Sequence, residues 1–176
     1  EVGRKVRVHL PIPKVYEQVS NVEIHASNPE ITYVAPFDAP QRTVYFETEL
    51  KENQEFMVDY SFDYHVNYVE LDPAKVSEEQ PNFCLGEQAP HIVFTPYLRE
   101  LRDELAGDET NPIILARRFY DFVTTKVMYS FMREYFTIEC IPEYCAINLK
   151  GDCGVQALLF ITLCRMSGIP ARWQSG

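Results

Sequence analysis

Gly151-Asp152-Cys153-Gly154-Val155-Gln156-Ala157-Leu158-Leu159-Phe160-Ile161-Thr162-Leu163-Cys164-Arg165-Met166-Ser167-Gly168-Ile169-Pro170-Ala171-Arg172 spells a tight turn, one helix and a second turn. Asp152 is the N-cap candidate, because its carboxylate can accept orphan N–H groups of the first helical turn. Cys153 then takes the first helical position. Val155, Leu158, Leu159, Thr162, Leu163 and Met166 recur at helical spacing and predict one buried face. Gly168 is the expected left-handed stop, followed by an apolar residue and a proline that cannot continue a helix.

A thiol at a helix start sits where unpaired N–H groups and the helix dipole favour negative charge, so Cys153 is the candidate nucleophile. Gly151 and Gly154 flank it and are expected to leave the sulfur open to close approach, with Asp152 shaping the same turn. The dipole lowers the cost of the thiolate by only about 0.3–1 kcal/mol, less than one pKa unit, against a free-cysteine value near ~8.5. Asp152 opposes ionisation if it is charged and close. Efficient attack therefore needs a histidine base and a group to orient it.

The whole run resembles the nucleophile region of the transglutaminase-like superfamily of papain-type cysteine enzymes. Gly151 and Cys153 stand where that pattern has its Gly-x-Cys, and Arg165, Gly168, Ile169, Pro170, Ala171 and Arg172 match its Arg-x-x-Gly-Ile-Pro-Ala-Arg close. Asn111-Pro112 followed by Ala116 to Val123 resembles the helix that precedes the nucleophile in bacterial members. The resemblance covers roughly residues 90 to 176. It implies a thioester mechanism on amide or peptide bonds, with a protein or peptide substrate and no cofactor. Protease or amidase activity is favoured over protein cross-linking. The backbone N–H of Cys153 is the natural oxyanion donor.

The resemblance also implies a Cys-His-Asp triad in which His and Asp follow the cysteine. His9, His25, His65 and His91 all precede Cys153. The expectation is thus a truncated piece: an N-terminal domain and the first half of a catalytic core, inactive by itself, with an open strand edge that favours a homodimer or segment swap. Two alternatives stand beside the enzyme: a transglutaminase-like binding or scaffolding module, and a redox cysteine resolved by Cys145.

Upstream, period-2 alternation marks strands. Val6, Val8 and Leu10 form one, ended by Pro11 and Pro13; Asn21 to Ala26, Ile31 to Ala35 and Thr43 to Leu50 follow. Lys51-Glu52-Asn53 reads as a hairpin loop into the clearest strand, with Phe56, Val58, Tyr60, Phe62, Tyr64, Val66 and Tyr68 on one face. That aromatic row is read as a core face or domain interface rather than a carbohydrate or peptide platform. The fold class expected is α+β: an antiparallel β-sandwich over residues 1–72, then the helical first half of a papain-like core over 83–176. The stretch Leu71 to Asn82 is the expected linker.

Thr95-Pro96 and Asn111-Pro112 each read as an N-cap with proline at the first helical position. Leu98, Leu101 and Leu105 stripe the first helix; Leu115, Phe119, Phe122 and Val123 stripe the second, whose solvated side carries Arg117, Arg118, Asp121 and Lys126. Ser130 to Lys150 has no clean period and is expected to be an irregular groove wall.

The formal net charge of −10 argues against nucleic acid and anionic membrane surfaces. No apolar run approaches the ~20 residues that span a bilayer. The five cysteines, an odd number without regular spacing, fit reduced thiols and favour the cytoplasm, although a removed leader is compatible with a start at Glu1. Cys140, Cys145 and Cys153 match no paired Cys-x-x-Cys pattern, so no metal is expected.

Overall fold

The computed structural model describes residues 2–173. The chain forms two compact units, Glu1–Val69 and Glu70–Gly176. It is α+β, with antiparallel sheets in the first unit and four helices in the second.

The first unit holds five strands: β1 (Lys5–Pro11), β2 (Val19–Asn28), β3 (Tyr33–Val34), β4 (Thr43–Glu49) and β5 (Met57–Tyr64). β4 lies between β1 and β3, and β2 pairs with β5, both antiparallel. Lys51-Glu52-Asn53 is therefore not a hairpin: it carries the chain from one sheet to the other. Alternation predicts a strand but not its partner, and this is where the two come apart. Val44 and Phe46 of β4 are fully buried with Ile12, and Val8, Leu10, Ile24, Phe56, Val58 and Tyr60 pack against them. Both small sheets thus feed one apolar cluster, without closing on each other.

The aromatic row divides. Phe56, Val58 and Tyr60 serve the cluster, whereas Phe62 and Tyr64 are largely exposed, and the strand stops at Tyr64. Its partner β2 begins at Val19, opposite Tyr64, so no ladder remains to carry Val66 and Tyr68. A core face extending to Tyr68 is corrected on that point.

The second unit contains α1 (Pro96–Ala106), α2 (Pro112–Lys126), β6 (Met128–Tyr129), α3 (Ile141–Asn148), β7 (Lys150–Gly151) and α4 (Cys153–Met166). The caps are those the sequence announces. Thr95 Oγ1 accepts from the Leu98 N–H at 3.2 Å, and Asn111 Oδ1 accepts from Ile113 and Ile114 at 3.1 and 3.4 Å. Asn111 Nδ2 also donates to the Pro73 carbonyl, so the expected linker is tied to the start of α2. Arg118 is no mere solvated residue: its guanidinium donates to the Ala106 carbonyl at the end of α1.

α3 lies in the stretch expected to be irregular. It is short, begins with Ile141-Pro142, and has no side-chain cap at Cys140. It buries Ile141, Pro142, Cys145 and Ala146, so tertiary packing rather than propensity holds it. It ends at Leu149 with φ +50°, a left-handed residue without the glycine that usually marks such an end.

α4 is the core of this unit and packs against α1, α2 and α3. It is buried on most sides rather than on one face: Ile161, Cys164 and Arg165 join Val155, Leu158, Leu159, Thr162 and Leu163 inside. A buried leucine such as Leu158 contributes roughly 1.5–3 kcal/mol over exposure, so α4 is firmly seated. Its end follows expectation. Gly168 has φ +73°, and the Ile169 N–H returns to the Cys164 carbonyl at 2.9 Å.

Candidate active site

The site grows from the short link between α3 and α4. β6 and β7 pair in parallel, Met128 with Lys150 and Tyr129 with Gly151. The Ser130 N–H donates to the Gly151 carbonyl at 3.1 Å, and Gln156 Nε2 donates to the same oxygen at 2.9 Å. Gly151 is thus fixed from a neighbouring strand and from the helix it precedes. Asp152 follows in extended conformation and caps α4, its Oδ1 accepting from the Val155 N–H at 2.9 Å. Cys153 is the first residue of the helix and is exposed. Its place at the first helical position is the one the sequence predicts.

The two glycines act differently from expectation. They do not simply clear space over the sulfur. A Cβ on Gly151 would overlap the Val155 side chain, and one on Gly154 would overlap Tyr135 Oη and come within 2.7 Å of Trp173 Cη2. The room they vacate is already filled. Gly151 lets the turn lie against α4, and Gly154 lets Tyr135 and Trp173 close over its first turn.

Tyr135 is the residue that sequence reasoning missed. It lies in a 3-10 turn, Tyr135–Thr137, and its hydroxyl donates to Asp152 Oδ1 at 2.5 Å. Burial, the bond to Asp152 and the negative charge of Asp152 push its phenol well above the ordinary range, with a smaller contribution from Cys153 nearby. Phe131, Met132, Arg133, Glu134, Tyr135, Phe136 and Asp152 line a shallow depression beside this turn. Within the stretch expected to be an irregular groove wall, residues 131–136 thus line a depression, while Ile141–Asn148 is helix.

The other thiols separate from Cys153 by burial. All five described cysteines are free. Burial, with the Asp152 charge second, pushes Cys145 up to about 12, and burial alone takes Cys164 to about 12. Cys140 is also raised, chiefly by burial. A resolving thiolate at Cys145 is therefore disfavoured near neutral pH, which weakens the redox reading. Among the described residues, no group of three or more His, Cys, Asp or Glu is placed to hold a metal ion. No helix among them is long and apolar enough to cross a membrane.

Arg165 completes the frame at the far end of α4. It is buried, and its Nε donates to the Ala171 carbonyl at 2.6 Å while Nη1 donates to the Gly86 carbonyl at 2.8 Å. It pins the turn after the helix to the segment before α1. That explains an arginine inside an otherwise apolar helix: five donors in a rigid fork satisfy carbonyls on two strands of chain at once.

Residues 99–176 match the transglutaminase-like superfamily, from within α1 through α4. That segment is transglutaminase-like. No curated protein and no solved structure matches the chain. In the transglutaminase-like segment, the Gly-x-Cys turn is Gly151 to Cys153, and the Arg-x-x-Gly-Ile-Pro-Ala-Arg close is the turn that Arg165 pins.

Proposed function

We propose that the transglutaminase-like segment carries the nucleophile of a cysteine enzyme acting on amide or peptide bonds, with Cys153 as that nucleophile. One observation carries this reading: Cys153 is exposed at the first turn of a helix whose other residues are mostly buried. Such a thiol is held in place yet reachable, and the opening N–H groups of a helix favour developing negative charge.

In the reaction, the Cys153 thiolate attacks the amide carbonyl carbon and a C–S bond forms. The carbon becomes tetrahedral, and its oxyanion is met by N–H groups of the turn, the Cys153 N–H among them. The C–N bond then breaks and the amine leaves with a proton. Water attacks the thioester, the C–S bond breaks, and a carboxylic acid and the free thiol result. An amine in place of water would give transamidation. Hydrolysis is the preferred outcome, because the exposed thiol is open to water. The proton transfers need a histidine base oriented by a carboxylate or amide. The proposal takes both from residues other than those that cap α4. The natural substrate is a protein or peptide.

The test is peptide turnover by the natural protein and its Cys153→Ala variant, with free amine and peptide fragments both quantified. Fragments that depend on Cys153 support hydrolysis, and amine incorporation that depends on Cys153 supports transamidation. Binding of peptide without either, unchanged in Cys153→Ala, would favour the alternative of a non-catalytic binding or scaffolding module.

A further inference from the structure

Asp152 stands next to the candidate nucleophile, where an uncompensated carboxylate would oppose the thiolate. The structure shows how that charge is handled. Asp152 Oδ1 accepts two hydrogen bonds, from the Val155 N–H at 2.9 Å and from the Tyr135 hydroxyl at 2.5 Å. The Tyr135 ring reaches this point only because residue 154 is glycine, since a Cβ there would overlap its hydroxyl. Tyr135, Asp152 and the Val155 N–H therefore form one hydrogen-bonded cluster beside Cys153.

We propose that Tyr135 is a positioning residue for Cys153: its hydroxyl bond to Asp152 Oδ1 keeps the helix cap closed and disperses the carboxylate's charge, and so sets the pH at which Cys153 reacts. The proposal rests on the reading of Cys153 as the reacting thiol, and it adds a residue that acts through Asp152 rather than on substrate. The sign follows from the charges. Without the Tyr135 hydroxyl, the Asp152 charge is less compensated and the neighbouring thiolate is harder to form, so the reaction moves to higher pH. With Asp152 neutralised, the thiolate is easier to form and the hydroxyl loses its partner.

Other charged and titratable groups lie near the cluster among the described residues. Arg133 and Glu134 share the depression with Asp152, Lys150 precedes the turn in β7, and the buried Cys145 of α3 feels the Asp152 charge. Arg133 and Lys150 are cations and Glu134 is an anion. All three are exposed and screened by solvent, whereas Asp152 and Tyr135 are half-buried.

The experiment is the rate of iodoacetamide labelling at Cys153 against pH, resolved by mass spectrometry of the Cys153 peptide, in wild type, Tyr135→Phe, Asp152→Asn and the double variant. It needs no turnover, so failure of the enzyme reading and failure of this inference remain distinguishable. Asn caps helices about as well as Asp, so Asp152→Asn tests charge with the cap retained. Tyr135→Phe is expected to raise the labelling midpoint by about half a pH unit, the share of a single hydrogen bond that reaches the neighbouring thiol. In the Asp152→Asn background the same change is expected to leave the midpoint where it is. An unmoved midpoint in Tyr135→Phe, or an equal shift with and without the Asp152 charge, would overturn the proposal. Circular dichroism on each variant separates a shifted midpoint from a lost fold, and a Tyr135→Phe protein that unfolds would itself contradict a role limited to positioning.

Discussion

Replacing Gly154 by alanine sets two opposing effects against each other at one atom. In a helix, alanine is ordinarily favoured over glycine by about 0.8–1 kcal/mol. Here the added Cβ would overlap Tyr135 Oη, lie 2.7 Å from Trp173 Cη2 and 3.2 Å from Tyr135 Cζ. Tyr135 has to move, and its bond to the charged Asp152 is lost. A hydrogen bond to a charged group contributes about 1.5–3 kcal/mol, and overpacking adds typically 1–3 kcal/mol more. Subtracting the helix gain leaves a net loss of about 2 kcal/mol or more, at least a tenfold rise in the unfolded fraction. The assay is urea unfolding followed by tryptophan fluorescence. Trp173 is the single tryptophan and lies beside Gly154, so the signal reports the second unit alone. Labelling of Cys153 should shift to higher pH in the same variant. A Gly154→Ala protein as stable as wild type, with unchanged Cys153 labelling, would refute the packing argument for this turn.

Arg165→Met should destabilise the second unit by about 2–4 kcal/mol in the same assay, because two carbonyls lose charged donors that are not replaced; a loss under about 0.5 kcal/mol, the scale of ordinary surface changes, would count against the pinning role. Asn111→Ala removes the cap of α2 and should cost about 1 kcal/mol, read as a lower urea midpoint. In the first unit, Lys5, Tyr45 and Arg7 bond the Glu47 carboxylate and lower it from 4.5 to about 2. A depressed carboxylate stabilises the fold fully above its unfolded value and loses that contribution as pH falls through the folded one, so the Glu47-dependent stability should decline between about pH 4.5 and 2. Glu47→Gln should flatten that part of the acid-unfolding curve, and an unchanged curve would show that the ion pairs are idle. Iodoacetamide at pH 8 should label Cys153 readily in the folded protein and leave Cys145 and Cys164 unlabelled until denaturant is added, as counted by intact mass.

The helices of the second unit were legible because their signals are local. Thr95-Pro96, Asn111-Pro112 and Asp152 each announce a start within two or three residues, and the bonds they make are of the same short range. α3 was not legible, since eight residues with a proline near the start, a left-handed leucine at the end and no polar cap resemble a loop until packing decides. Strand existence in the first unit was visible by alternation, yet the exchange of partners that pairs β2 with β5 and β1 with β4 depends on contacts far apart in sequence. The position of Cys153 was readable, as was its cap. The Tyr135–Asp152 bond spans seventeen residues and left only an indirect trace, a glycine at 154 where helices prefer alanine. Arg165 left a clearer one, a charge within an apolar helix, whose buried bonds to Ala171 and Gly86 only the fold reveals.

The proposed mechanism requires Cys153 to carry an acyl group during turnover. The most direct measurement is mass spectrometry of the Cys153 peptide from the natural protein, acid-quenched during incubation with a peptide substrate pool. The account predicts an acyl thioester on Cys153 that hydroxylamine releases as a hydroxamate. Turnover with no acyl group on Cys153, or turnover undiminished in Cys153→Ala, would contradict it.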